Sequence, residues 1–156
     1  MKTAFLLFFC FFNVSSFYLD KNDLYSALSG DSSQKIDQII VGLNQEQSTS
    51  INKCYKGALL AKRADFETTA VKKINKFKAG VKLLEVEIEK FPNEVEYRFL
   101  RLCIQENCPK VLKYNKNISE DVKLIERSFS KQSKKLRTII FEYAKSSNAL
   151  NHILLK

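Results

Sequence analysis

Four polar side chains, Glu94, Arg98, Arg101 and Gln105, recur at intervals of three and four residues and so share one face of any helix that contains them. Two guanidinium groups on one face can hold a carboxylate or phosphate bidentately, because the planar fork matches the spacing of those oxygens. Gln105, Asn107 and Tyr114 can add neutral hydrogen bonds at the end of that face. The candidate binding residues are therefore Arg98, Arg101, Gln105 and Tyr114. The competing structural use of the arginines is to pair with Glu94 on their own helix or with Glu85 and Glu89 on the preceding one.

Glu85 and Glu89 are four residues apart and form a carboxylate pair that, with the arginines, could serve a small hydrolase or lyase. Such a site would need a concave pocket in which at least one carboxylate is desolvated and its pKa raised. Lys82 and Lys90 flank the pair, as on a solvated charged face. Helical di-metal sites add Glu-x-x-His steps, and the single histidine of this chain, His152, lies near the C-terminus. The chain has no Gly-rich phosphate loop, no serine in a nucleophile elbow and no Cys/His combination. No catalytic residue, metal or cofactor is therefore assigned.

The densest basic cluster is Lys131, Lys134, Lys135 and Arg137, directly followed by an apolar stripe. A basic amphipathic helix of this kind can lie on an anionic membrane or dock on an acidic partner; in the alternative its apolar face completes the fold. Residues 17–108 carry 14 basic and 13 acidic side chains, whereas residues 109–156 carry 11 and 4, so the excess sits in the last third of a chain whose formal charge is +9. A positive field of that kind attracts acidic protein faces, anionic lipid or polyanionic glycans. Nucleic acid is the least expected partner of a chain that leaves the cytoplasm.

Export is read from the N-terminus. Met1 and Lys2 lead into an apolar run from Phe5 to Phe12 that ends at Val14-Ser15-Ser16, the three-part layout of a secretory signal. The run is far short of the roughly 18 to 20 residues that span a bilayer. Cleavage is expected at about Ser16, leaving residues 17–156 as one domain in the periplasm or outside the cell. Phe8 and Phe9 stand before Cys10 where a lipobox requires a small residue, which argues against lipidation. Cys54, Cys103 and Cys108 are then the cysteines of the mature chain, an odd number. Cys103 and Cys108 could close a tight loop at a helix end, Cys54 and Cys103 could meet between packed helices, and buried free thiols are the third arrangement. None of the spacings is a zinc pattern.

The elements that position these groups are all expected to be helical. Only four Gly and two Pro interrupt a chain rich in Lys, Leu, Ile and Glu. The spacing predicts helices over Asp20 to Ser29, ended by Gly30; from a Ser32 or Ser33 cap through Ile36, Ile39, Ile40 and Leu43; through Ile51, Cys54, Tyr55, Ala58 and Leu59; and from Val71 to Phe91. Pro92 stops that last helix. Asn93 and Glu96 suggest a capping box for the next, which runs to about Asn107 with Val95, Phe99, Leu102 and Cys103 facing the core. Ser119 is the expected cap of a helix through Val122, Ile125 and Phe129. The run Lys131 to Arg137 opens the final helix through Leu136, Ile139, Ile140, Tyr143 and Ala144, with Leu150, Ile153 and Leu154 beyond a break near Ser146-Ser147. The result is an all-α irregular bundle, or short solenoid, of six or seven antiparallel helices.

Phe77, Gly80, Val81, Leu84 and Ile88, then Pro92-Asn93 and a new amphipathic helix to Leu102, resemble one tetratricopeptide-type step, with Glu87 where that repeat has a small alanine and no second copy about 34 residues away. A wider stretch resembles a group of small exported helical proteins of Bacteroidetes-type bacteria. It runs from Tyr55-Lys56-Gly57-Ala58 through Phe77-Lys78-Ala79-Gly80 and Glu96 to Leu102, and on through Gln105-Glu106-Asn107, Pro109, Leu112, Tyr114 and Asp121. That resemblance implies a helical fold and a periplasmic or envelope location, and carries over no catalytic residue. The expected function is a non-enzymatic protein–protein interaction module whose partner is an envelope protein with an acidic surface.

Overall fold

The computed structural model describes residues 19–151. The expected export signal, His152 and the apolar residues Ile153 and Leu154 lie outside them. Among the described residues there are seven α-helices and no strand: α1 Lys21–Ser29, α2 Ser33–Gln45, α3 Ser50–Arg63, α4 Ala70–Lys90, α5 Val95–Asn107, α6 Ile118–Ser128 and α7 Lys134–Ala144. Short 3-10 turns occupy Ala64–Phe66, Lys110–Leu112 and Phe129–Lys131. The protein is an all-α bundle.

Side-chain caps set many of the helix starts. Asp20, Ser32, Thr49, Thr69 and Ser133 each accept a hydrogen bond from a backbone N–H two or three residues on, satisfying one of the donors a first helical turn leaves over. Two expected caps are not formed. The N-cap of α5 is Glu94 rather than Asn93, which moves Glu96 from the third to the second helical position, where it cannot close a capping box. Glu96 instead accepts from Tyr55 Oη at 2.6 Å and from Lys21 Nζ, joining α5 to α3 and α1. Ser119 lies inside α6, whose N-cap is Asn117 with no side-chain capping bond.

α5 sits between two apolar cores. Tyr97, Leu100 and Ile104 belong to the first, with Leu24, Ile36, Leu59 and Leu84 among its residues from α1 to α4. Val95, Phe99, Leu102 and Cys103 belong to the second, with Ile125 of α6, Ile140 of α7 and Leu150. Every residue from Val95 to Gln105 is buried. Each fully buried Leu, Ile or Phe of the two cores contributes about 1.5–3 kcal/mol relative to exposure. Within the first core, α3 and α4 approach most closely at Gly57 and Gly80: a Cβ on Gly80 would stand 2.4 Å from the Ala61 nitrogen and 2.6 Å from the Gly57 carbonyl oxygen. Only glycine permits this separation. Glu87, in the position the repeat-like pattern reserves for alanine, is 2% exposed; its carboxylate accepts from Lys90 at 2.8 Å and faces Lys53 of α3.

The stripe of α4 is not uniformly internal. Phe77, Leu84 and Ile88 are buried, whereas Val71, Ile74 and Phe91, which belong to the same periodic series, are 68%, 39% and 45% exposed. Val71 and Ile74 stand in the first turns of this 21-residue helix and Phe91 just past its end, whereas Glu87 and Ile88 in its last turn are covered.

Candidate functional site

The structure brings Arg98, Arg101 and Tyr114 together, and it fills the site they make with the chain's own carboxylates. Arg101 donates to Asp121 through Nε at 2.8 Å and Nη2 at 2.6 Å, and to Glu85 Oε2 through Nη1 at 2.9 Å. Arg98 donates through Nη1 to Asp121 Oδ1 at 3.1 Å, through Nη2 to Glu120, and through Nε to the Pro92 carbonyl at 2.9 Å, which ties down the turn between α4 and α5. The Tyr114 hydroxyl donates to the second oxygen of Glu85. Arg98 and Arg101 are 8% and 3% exposed, and Asp121 is fully buried. All three Arg101 nitrogens are therefore engaged by protein groups.

Burial and charge pull these groups in opposite directions. Desolvation works against the charge on Arg101, but the hydrogen bonds and charge of Asp121, followed by Glu85, outweigh it and raise the guanidinium further above its ordinary value. Burial pushes the Asp121 carboxyl up, against the pull of Arg101 and then Arg98. Burial, reinforced by the Glu85 hydrogen bond, raises the Tyr114 hydroxyl, so that it stays a proton donor. The arrangement holds two cations with three carboxylates, a structural node in which ion pairs are hydrogen-bonded on every side. Of the expected structural partners only Glu85 takes part. Asp121 and Glu120 supply the rest, from the first turn of α6, and the one sequence signal that marks them is their position in adjacent places at a helix start, where carboxylates favour the dipole.

Glu89 is exposed and takes no part in the node, so Glu85 and Glu89 do not converge on one pocket with the arginines. Among the described residues no group of three His, Cys, Asp or Glu side chains is placed to hold a metal ion. The basic cluster is dispersed on the surface of α7 and the turn before it: Lys135 pairs with Asp20 at 2.6 Å, and Arg137 donates to the carbonyls of Gln132 and Ser130 at 2.7 and 3.2 Å. The apolar stripe beside it, Leu136, Ile139, Ile140 and Ala144, is buried in the second core, which removes the face a membrane-lying helix would insert. No helix among the described residues is long and apolar enough to cross a membrane.

The three described cysteines are free thiols. The Cys103–Cys108 bridge is not formed, because the two side chains serve different cores: Cys103 is packed in the second, while Cys108 packs against the first and its Sγ lies 3.5 Å from the Gln105 carbonyl oxygen. Burial raises the Cys54 thiol to about 12 and lifts Cys103 still higher. Neither is an activated nucleophile.

Two concavities stand out among the described residues, and the smaller is lined by Gln105 and Tyr114, two of the expected binding residues. The larger is a groove of about 720 Å³ where α1, the ends of α3 and α5, the first half of α4, the 110–112 turn and α7 meet; its walls include Tyr25, Leu28, Phe77 and Ile104, and its edge carries Ile74 and Val111. Val111 is 81% exposed. The smaller is a cleft of about 410 Å³ at the end of α5, where Gln105 meets Tyr114, Ile118 and the 148–149 turn. Gln105 is thus no member of the arginine node, but it lines this cleft together with Tyr114, whose hydroxyl reaches the node through Glu85.

Comparison with protein-family models, with curated proteins and with solved structures finds no match to this chain.

Proposed function

We propose that the protein is a non-enzymatic interaction module, exported from the cytoplasm, that receives an acidic amphipathic helix of a partner protein in the 720 Å³ groove. The observation that carries this reading is the groove's make-up. Apolar side chains from five helices line a concavity within the range of about 300–1,000 Å³ that binding sites occupy, and its edge leaves two large apolar residues, Val111 and Ile74, exposed to solvent. A helix laid in such a groove buries its apolar stripe at one stroke.

Charge selects the kind of helix. On the wall Lys62 and Lys73 are matched by Asp65 and Glu142, Lys62 pairing with Asp65 at 3.1 Å, so the positive bias comes from around the groove: Lys110 directly precedes Val111, and the whole chain carries a formal +9. Carboxylates flanking the partner's apolar stripe would be drawn by the net positive charge of the chain, raising the association rate more than the final affinity. The arginine pair has no share in this surface, because its donors are consumed inside the fold. That also weighs against a Glu/Arg hydrolase, whose cationic groups would have to reach a substrate.

The test is site-specific photo-crosslinking from position 111 in the native host, followed by titration of the captured partner in a salt series. The reading expects crosslinks to an apolar residue in an acid-flanked helical segment, loss of binding in Val111→Glu/Ile74→Glu, and weakening as ionic strength rises. Binding that survives the double substitution would remove the groove from the reading, and indifference to salt would remove the charge argument.

A further inference from the structure

The tertiary structure lays two acid-free stretches of the chain side by side. Residues 68–84 carry five lysines and no Asp or Glu, and residues 107–119 carry three lysines and no Asp or Glu. The first covers the start and middle of α4, and the second connects α5 to α6. Tyr114 joins them: its ring meets Phe77 edge-on with centroids 5.5 Å apart, and its hydroxyl donates to Glu85. Val111 and Ile74 meet at the edge of the groove. The loop therefore runs along α4 from about Ile74 to Glu85.

Val71, Ile74, Lys78, Lys82 and Glu85 recur at intervals of three and four, so the residues before Glu85 share its side of α4, beside the loop. Lys78 and Lys82 are exposed, as are Lys110, Lys113 and Lys116 on the loop, and none of the five forms an ion pair among the described residues. The acids that bound the two stretches are engaged elsewhere: Glu67 by Lys76, Glu85 by Arg101 and Tyr114, Glu106 by Tyr143 and Ser147, and Glu120 by Arg98. Lys113 has a φ of 51°, in the left-handed region that favours glycine, so a charge is carried there at a backbone cost. Among these lysines stand aliphatic side chains open to solvent, Val111 at 81%, Val71 at 68% and Ile74 at 39%.

We propose that this face docks the protein on an anionic lipid bilayer, with the lysines against the headgroups and Val111, Val71 and Ile74 entering the interface. Attraction of lysines to a negative membrane surface is cumulative and needs no fixed geometry, and shallowly inserted aliphatic groups add apolar contact. The make-up of the face favours a bilayer over a soluble polyanion. Its two stretches contain no arginine fork for bidentate phosphate contacts and no free aromatic face on which a base could stack, since Phe77 is buried and Tyr114 packs on it. A sulfated or phosphorylated polymer would leave the aliphatic groups in water. Val111 and Ile74 border the groove as well, but none of the five lysines lines it, so lysine substitutions test bilayer binding without altering the groove walls.

The test is co-sedimentation of the protein, recovered in soluble form from its native host, with vesicles of phosphatidylcholine alone or of phosphatidylcholine and phosphatidylglycerol in equal parts. Binding is expected to the mixed vesicles only, weakening as ionic strength rises. Lys78→Glu/Lys113→Glu, one change in each stretch, should bind about tenfold or more weakly, and Val111→Ser about fivefold more weakly. Lys131→Glu/Lys134→Glu, the same change in charge made at the start of α7, should differ from the parent by less than about threefold, because charges beyond a Debye length of the bilayer are screened. All these positions are exposed, so melting temperatures should stay close to that of the parent. Equal losses in the two charge-reversed pairs would show that net charge alone counts and would overturn the proposal. So would equal binding to both vesicles or to neither, undiminished binding by Val111→Ser, or capture by dextran sulfate without capture by the mixed vesicles.

Discussion

Arg101 and Asp121 face each other as a fork on a fork: Nε meets Oδ2 at 2.8 Å and Nη2 meets Oδ1 at 2.6 Å, with the carboxylate fully buried. This pair fastens α6 to α5, and Arg98 and Glu85 extend it to the turn before α5 and to α4. Two arginines that look in the sequence like a docking face are internal fasteners.

Removal of Asp121 should therefore damage folding. Asp121→Ala leaves two largely buried guanidinium groups short of their shared partner, and a loss of about 3–5 kcal/mol is expected in urea unfolding. The Arg98→Ala/Arg101→Ala double variant should be comparably unstable. A lost interaction in that variant reports unfolding, so far-UV circular dichroism must accompany any binding assay on it.

Gly80→Ala should separate α3 from α4. The new methyl would be placed 2.4 Å from one backbone atom and 2.6 Å from another, neither of which can rotate away. Overpacking of this kind costs about 1–3 kcal/mol or more. Val71→Ala on the same helix, at a position 68% exposed, should change stability by less than about 0.5 kcal/mol. Parallel thermal melts of the two variants check both expectations.

The thiols impose an alkaline limit. In the unfolded chain a cysteine ionises near its ordinary 9.0, whereas burial first, then the charge of Glu87, holds folded Cys54 protonated up to about 12. The folded state is thus favoured in full below pH 9, and that share of stability is lost as pH rises from 9 toward 12. Cys54→Ala/Cys103→Ala should flatten this decline in a pH series of unfolding curves. At neutral pH an aromatic disulfide reagent should label half-buried Cys108 well before buried Cys54 or Cys103.

Acid acts through other groups. Hydrogen bonds from Arg98 and then Asn117 hold Glu120 below its ordinary 4.5, and the Lys76 hydrogen bond does the same for Glu67. Their contribution is complete above 4.5 and is lost as pH falls below that value through the lowered folded pKa. Glu120→Gln/Glu67→Gln should make stability less dependent on pH below 4.5. Both carboxylates are solvent-accessible enough that the change is expected to be small.

Much of the helical layout is legible residue by residue. The cap Ser32 and the stop at Pro92 work through contacts within a few residues, which sequence spacing reports directly. The failures occur where a neighbour intervenes. Glu96 gives up the capping box for Tyr55 and Lys21, 41 and 75 residues away. Cys103 and Cys108, five apart in sequence, turn toward different cores.

The sequence by itself determined an all-helical chain with breaks at its prolines and polar connections, because helix periodicity, capping and turn chemistry are local. It also determined that the C-terminal third is basic, since charge is a matter of count. Tertiary structure alone decided that α5 is covered on all sides, that its arginines face Asp121 and Glu120, and that the open surfaces are the groove beside Val111 and the cleft at Gln105. The physical reason is that the availability of a polar side chain depends on what packs over it, and the covering groups come from distant parts of the chain whose positions no local pattern encodes.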